Sequence, residues 1–399
     1  MTTTAQRALH MTLVAVMMAS TFQLFAVAVL SVDIIEEFDI SRSDIGWVVS
    51  VNAGTGALLS LGVGRLTDRI GGRRSAILWL FISGVGLLWT AVAASYWTLL
   101  GASVVAGAPQ AGGNPATNKL IRQHVPVTRR GVVTGFKQSG VQLGNFLAGL
   151  TLPAASAVFG WRSAIAAYGS IMLIVAAMAA IWLPADLEDE PVVVAPSQIR
   201  REPLLPIVHR MALYGLLLGT VGGGVGRFLP LFAHEDLGYS KALAGLVVAM
   251  SGLLGIAARI IWGIRIERGL DARKGLTIMG VGAAVTALLL IAASSWAAWI
   301  VWVCAALMAF TISAWNVVGM LTVIREVPGR MTGRASGMVM LGFFGGVSIG
   351  APLMGWIVDT TGSYTPGWLV LAGIAIAAAL VVAPFRSKAD SGGSFMEHG

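Results

Sequence analysis

Gly64-Arg65-Leu66-Thr67-Asp68-Arg69 recurs 199 positions later as Gly263-Ile264-Arg265-Ile266-Glu267-Arg268, in a chain of 399 residues. Each copy closes an apolar stretch, so a helical membrane unit of about half the chain occurs twice in the same orientation. Working outward, Ser41 and Gly46 match Ser240 and Gly245 at the same offset. Further along, Asn114, Pro126, Gly135, Gly140 and Gly144 match Asn316, Pro328, Gly337, Gly342 and Gly346 at an offset of 202. With 50 glycines in the chain, chance supplies some matches. It does not readily preserve their order with a drift of only three residues.

Composition agrees with a membrane chain. Mean hydropathy is +0.80, and 56% of residues are hydrophobic against 12% charged, which excludes an ordinary soluble domain. The windows 11–32, 45–64, 163–185 and 360–385 each match the roughly 20 apolar residues a span requires. The stretches 75–118 and 275–324 carry no charge at all and are long enough for two helices each. The expected spans are 9–32, 44–66, 75–94, 97–120, 131–156 and 163–184, then 210–233, 242–265, 275–294, 297–324, 332–357 and 367–385. The fold class is therefore an all-α membrane protein with twelve transmembrane helices in two pseudo-symmetric six-helix bundles. Residues 1–185 form the first bundle and 210–386 the second. The acidic, proline-rich segment 186–209 is a loose cytoplasmic linker, and 387–399 a disordered tail.

Several function classes are disfavoured. The spans leave no room for a soluble catalytic domain, so no enzyme activity is expected. No histidine lies deep in a span, His10 standing at the very start of 9–32, and none has metal-ligand spacing, so neither a metal nor a cofactor is expected. Gly222-Gly223-Gly224-x-Gly226 falls inside a span and is no dinucleotide loop. Cys304, alone in the chain, cannot form an intrachain disulfide. The first span is too long for a signal-peptide apolar region and is expected to be retained. With both termini cytoplasmic, most of the 27 Lys and Arg fall in the termini or inward loops, leaving Arg42, Arg162 and Lys241 outward. The net charge of +8 is then topological and implies no nucleic-acid partner. The same placement puts Trp47, Trp97, Trp161, Trp296 and Trp368 near the outer interface, and Trp182 and Trp262 near the inner one.

At this point the residues resemble the major facilitator superfamily. Gly64-x-x-x-Asp68-Arg69-x-Gly71-x-Arg73-Arg74 is similar to its signature between helices 2 and 3, and Gly263-x-x-x-Glu267-Arg268 to the weaker copy between helices 8 and 9. Gly72 departs from the pattern, which usually has a basic residue there. The resemblance implies a secondary carrier of the inner membrane working by alternating access. It also implies a gate made of Gly64, Asp68, Arg69, Gly263, Glu267 and Arg268. Asp68 would face the start of span 11, near 331–335, and Glu267 the start of span 5, near 130–133. Small residues allow close helix approach, and a carboxylate suits the positive end of a helix.

Where the two halves differ, substrate chemistry is the candidate cause. Three charges lie deep inside spans, away from their ends: Lys137, Arg227 and Arg259, whose repeat partners are Val339, Ala28 and Ser60. A charge at the bilayer centre costs about 2.5–3.5 kcal/mol on insertion scales. Such side chains either face a cavity or snorkel to an interface. Arg259-x-x-x-Gly263 resembles the oxalate–formate exchangers and nitrate carriers, which place an anion-binding arginine similarly. The oxalate carriers add a lysine in helix 11, whereas Lys137 stands in the pseudo-equivalent helix 5. A guanidinium fork suits a carboxylate or nitrate.

The expected substrate-binding set is Arg259, Lys137, Arg227, Asn114, Gln142 and Asn316. Gln23, Gln110, Asn118, Gln138 and Asn145 are further polar candidates. The repeat-matched pair Asn114 and Asn316 is equally compatible with scaffold hydrogen bonding. No charge stands near Ser103, where the family's helix-4 basic residue would fall. Gly144-Asn145-Phe146-Leu147-Ala148-Gly149 resembles the antiporter motif with Pro and Gly replaced. Both departures weaken a proton/drug antiport reading. The expected cargo is a small anion, a carboxylate or similar, with efflux of a neutral or lipophilic compound as the alternative. A coupling proton and an exchanged anion both stay open as partners beside the lipid bilayer.

Overall fold

The computed structural model describes residues 3–187, 203–327 and 331–383. Most of the linker expected at 186–209 and all of the tail expected at 387–399 lie outside the described residues. The chain is helical throughout its described length. We number the spans α1 (Thr3–Ala19, continued after a bend by Phe22–Val29), α2 (Arg42–Ile70), α3 (Gly72–Ala91), α4 (Tyr96–His124), α5 (Arg130–Phe159) and α6 (Trp161–Trp182). The second set is α7 (Pro206–Glu235), α8 (Lys241–Glu267), α9 (Ala272–Ser295), α10 (Ile300–Phe310, continued by Trp315–Glu326), α11 (Thr332–Thr361) and α12 (Thr365–Val382). A short helix, Ser31–Phe38, follows α1 on the surface.

Among the described residues, nine helices are long and apolar enough to cross a bilayer, or eleven when two bent pairs count as one span each. The remaining helix, α4, is 29 residues long but carries Gln110, Asn114, Asn118 and Lys119, which lower its hydropathy. Packing follows the repeat. The pairs α1–α5, α2–α4 and α3–α6 recur as α7–α11, α8–α10 and α9–α12. Homologous sequence signals start the copies: Ser41 caps α2 through Asp44 N, and Ser240 caps α8 through Leu243 N. Such caps satisfy amides that a helix start otherwise leaves unpaired.

Two expected spans are not continuous. The span at 9–32 bends by 49° between Ala19 and Phe22. The span at 297–324 breaks between Phe310 and Trp315, where Ser313 N bonds to Met308 O at 3.0 Å and Val317 N to Ala314 O at 3.1 Å, outside the regular ladder. Neither break carries a proline or glycine, so nothing in the pattern signalled it. Carbonyls freed inside a membrane require other donors, and those at the α10 break find them at the site described below. The interfacial tryptophans divide by burial. Trp47, Trp97, Trp182 and Trp296 are exposed, whereas Trp161, Trp262 and Trp368 are buried in the protein.

The bundles meet chiefly through α2 with α11 and α5 with α8. These contacts lie toward the end opposite the Gly64 signature, here called the far face. A Cβ at Gly149 would sit 2.5 Å from both Ala249 N and Gly245 O, and one at Gly245 would sit 2.5 Å from Gly149 O. Only glycine allows α5 and α8 to cross this closely. Ion pairs finish the far face: Arg42 Nε to Glu235 Oε2 at 2.8 Å, and Lys241 Nζ to Asp33 Oδ1 and Glu36 Oε2, each at 2.8 Å. Arg42 and Lys241, and likewise Glu36 and Glu235, are repeat partners at the offset of 199. Each bundle thus lends the other one half of the same pair. Asp359 adds a cap from α11, accepting from the Ser43 amide at 2.7 Å and the Arg42 amide at 3.2 Å.

The signature face contrasts with this. A Cβ at Gly64 or Gly263 would meet nothing within 4 Å. Asp68, Arg69, Glu267 and Arg268 are exposed. Among the described residues no hydrogen bond or ion pair joins Asp68 or Glu267 to the opposite bundle. The close approach expected at these glycines is absent here, and the structure is closed at the far face.

Ser50 Oγ and Ser348 Oγ lie 2.9 Å apart across the α2–α11 junction, close enough for a disulfide to replace them. The double variant Ser50→Cys/Ser348→Cys is expected to cross-link on oxidation, abolish solute flux, and recover flux on reduction. Full flux in the oxidised protein, with cross-linking verified on a gel, contradicts a far-face junction that must part.

Candidate functional site

A cavity of about 130 Å³ lies between the bundles at mid-height. Its polar lining includes Gln110 and Asn114 from α4, Gln138, Gln142 and Asn145 from α5, Arg227 from α7, Arg259 from α8, and Ser313 and Asn316 at the α10 break. Its apolar wall includes Leu24, Phe25, Trp315, Phe343 and Phe344. The Trp315 and Phe343 rings are 5.1 Å apart. No Asp or Glu is among the lining residues.

Arg259 spans the junction. Its Nη1 donates to the Gln138 carbonyl of the opposite bundle at 2.7 Å, and Nη2 to Ser313 O at 3.3 Å. One helical turn away, Trp262 Nε1 donates to Phe310 O at 2.7 Å. The two side chains of α8 thus supply the donors that the broken α10 lacks. Arg259 Nε has no partner. Arg227 reaches from α7 over the Phe25 ring of α1, with Cζ 4.5 Å from the centroid, a cation–π contact across the bundles. Its Nε is also unpartnered. Neither guanidinium turns toward an interface. The snorkelling alternative does not describe them.

Lys137 differs from the expectation. It is completely buried and does not line the cavity. Its ammonium donates to Asn118 Oδ1 at 2.6 Å, Thr117 Oγ1 at 2.7 Å and Asn114 Oδ1 at 3.3 Å. All three donor hydrogens are used. The Thr117 hydroxyl gives its own hydrogen to Gly113 O at 2.6 Å, so it can only accept from the lysine. Lys137 therefore stands behind Asn114, whose amide separates it from the cavity. Gln138 Nε2 donates to the same Asn114 oxygen at 2.9 Å, which turns the Asn114 nitrogen toward the cavity. The spacing Asn114-x-x-Thr117-Asn118 was the available signal, one helical face of acceptors opposite a buried lysine.

The other expected residues are placed as follows. Gln142 and Asn316 line the cavity, and each has an unpartnered side-chain oxygen, Oε1 and Oδ1. Asn114 and Asn316 both face the cavity, but only Asn114 is tied into a network. Asn145, in the altered antiporter motif, donates to Ser251 Oγ across the α5–α8 junction at 3.0 Å. Phe25, Ser313 and Trp262 were missed from sequence. None is charged, and each acquires its role through a helix break or a neighbour in another span.

Residues 11–323, and again 211–394, match the Major Facilitator Superfamily. The chain belongs to this superfamily. It is 29% identical over 359 residues to monocarboxylate transporter 11 of Homo sapiens, covering 85% of this chain and 74% of the relative. It is 23% identical over 377 residues to a probable sulfoacetate transporter of Cupriavidus necator, covering 88% and 87%. Among solved structures it superposes on a D-xylose–proton symporter with a TM-score of 0.77 at 17% identity, covering 95% of this chain and 98% of the other. The chain is therefore a multi-pass membrane transporter of this fold.

Two measurements check the site. Asn316→Cys is expected to react with a water-soluble thiol reagent and Lys137→Cys to resist it, Cys304 being buried in both. Equal labelling contradicts the placement of Lys137 behind Asn114. Lys137→Met, which strands the facing oxygens, is expected to lower stability by about 1–3 kcal/mol, read as a fall in melting temperature. An unchanged melting temperature refutes the network.

Proposed function

We propose that this transporter moves a small anionic solute, a carboxylate or similar oxyanion, across the inner membrane by alternating access. The observation that carries the reading is electrostatic. Arg227 and Arg259 line the cavity, each with an unpartnered Nε, and no carboxylate lines it with them. In a low-dielectric interior such charges call for a counter-charge. A guanidinium fork engages two oxygens of a planar anion at once. The names of the monocarboxylate and sulfoacetate relatives support the same class. Asn114, Gln142 and Asn316 complete the first contacts, and Lys137 contributes from behind Asn114.

The signature face and both termini lie in the cytoplasm in this reading, as the distribution of Lys and Arg favours. Residues 1–185 and 210–386 are the two rocking bodies. The far-face ion pairs break as the carrier turns outward. Asp68 then meets the start of α11 and Glu267 the start of α5, and Gly64 and Gly263 come into helix contact. A second reading, efflux of a neutral or lipophilic compound, is favoured by the aromatic wall of Trp315, Phe343 and Phe344. Arg227 and Arg259 then serve only as locks between helices.

Proteoliposome flux separates the two. Small carboxylates and sulfonates are expected to be transported and neutral amphiphiles not. In Arg259→Lys the point charge cannot replace the fork, and a KM rise of roughly 10- to 100-fold is expected from loss of a charged hydrogen bond. An unchanged KM removes Arg259 from the binding site.

A further inference from the structure

Gln110 is 6% exposed, lines the cavity, and leaves its side-chain oxygen without a partner. Which end of an amide faces a cavity is ordinarily undetermined, because the two ends are nearly the same size. Here a chain of four residues decides it. The Thr90 hydroxyl donates its hydrogen to Gly86 O at 2.8 Å, so toward Gln23 it can only accept. Gln23 Nε2 accordingly donates to Thr90 Oγ1 at 2.9 Å and Ser103 Oγ at 3.2 Å. That leaves Gln23 Oε1 to accept from Asn52 Nδ2. Asn52 Oδ1 accepts in turn from Gln110 Nε2. The same nitrogen lies 3.3 Å from the Asn52 main-chain carbonyl, which no side-chain rotation can turn into a donor. Gln110 Oε1 is what remains, a buried acceptor of fixed sense in a side chain that lines the cavity.

One helical turn along α4, Asn114 is fixed in the opposite sense. Its oxygen is occupied by Lys137 and Gln138, and its nitrogen is left to donate. The cavity therefore offers donors from Asn114, Arg227 and Arg259 together with acceptors of fixed sense: Gln110 Oε1, buried and without a partner, and also Gln138 Oε1 and Asn145 Oδ1, whose nitrogens are given to Asn114 Oδ1 and Ser251 Oγ. Gln142 and Asn316, whose amides no such chain ties, can turn either end inward. A bare oxyanion has only acceptors. It matches the donors but sets its lone pairs against Gln110 Oε1, or leaves that oxygen unpaired. A buried acceptor without a donor is costly, and sites built this way discriminate against analogues lacking the matching hydroxyl.

We infer that Gln110 is a specificity-determining residue, selecting small carboxylates that carry a hydrogen-bond donor. The substrate class is hydroxycarboxylates rather than bare anions. The inference rests on the anionic reading above and narrows it. The relay through Thr90, Gln23 and Asn52 keeps Gln110 in its accepting orientation without touching the solute.

The test uses the full chain in proteoliposomes, with each hydroxy acid paired with its deoxy parent: lactate with propanoate, and 3-hydroxybutyrate with butyrate. The wild-type carrier is expected to prefer at least one hydroxy member by about tenfold or more in kcat/KM. Gln110→Met, of similar shape but without the acceptor, brings that ratio close to one while uptake of the deoxy acid persists. Gln110→Ala serves the same purpose if the methionine variant does not fold. Both members are measured on one preparation, so the amount of folded carrier cancels. A wild-type ratio near one in both pairs, with carboxylate uptake still lost in Arg259→Lys, overturns this inference alone. So does a ratio that survives both Gln110 variants. If neither member of any pair is moved and a neutral solute is, the anionic reading falls and takes this inference with it.

Discussion

A guanidinium held across a bundle junction is the constraint around which the rest of this carrier is arranged. Arg259 belongs to α8, yet one of its bonds ends on a carbonyl of α5 in the other bundle and one on a carbonyl of broken α10. Placing an ion at this depth is expensive. The main-chain oxygens meet part of that cost, but neutral dipoles do not cancel a charge. Arg227 and Arg259 both line the cavity with an unpartnered Nε, and in the proposed function an anionic solute supplies the counter-charge. The arrangement also links site to motion, because the residue that would hold the solute is one of those that hold the bundles together. In the proposed function, a solute that draws on Arg259 would change its bond to the Gln138 carbonyl of α5.

The two faces divide the remaining work. At the far face, glycine contacts and repeat-swapped ion pairs close the junction. Surface ion pairs of this kind contribute about 0.2–1 kcal/mol each. Energies of that size can bias a conformational equilibrium and are small enough to break in the proposed alternating cycle. At the signature face the acidic residues point to no partner in the opposite bundle in this state. The far-face contacts are made in this state, and the signature-face contacts belong to the proposed alternate state. Alternation between them is what a pair of rocking bundles requires.

The sequence was informative where a pattern repeats and silent where geometry is local. Repeat offset, span positions and the three interior cations were legible because periodicity and charge are properties of the chain itself. Membership of the superfamily followed from Gly64 to Arg74 and its copy. The break at Thr311–Ala314 was not legible, since no proline or glycine marks it, and Ser313 and Phe310 owe their roles to it. Lys137 shows the limit most clearly. Its charge and depth suggested contact with the solute, while its three acceptors on one face of α4 determine that it stands behind Asn114. Gln110 was visible only as a polar residue in a span. Its sense as an acceptor depends on Gln23, Asn52 and Thr90 from three other helices, a relation no linear spacing encodes.

The most direct measurement of the central claim is an experimental density map of the purified carrier saturated with a small carboxylate. The account predicts density for the carboxylate within hydrogen-bond distance of the Arg259 and Arg227 guanidiniums, with Lys137 still bonded to Asn114, Thr117 and Asn118. Density lodged instead against Phe343 and Phe344, with both guanidiniums turned from it, would contradict the claim that positive charge in this cavity exists to bind an anion.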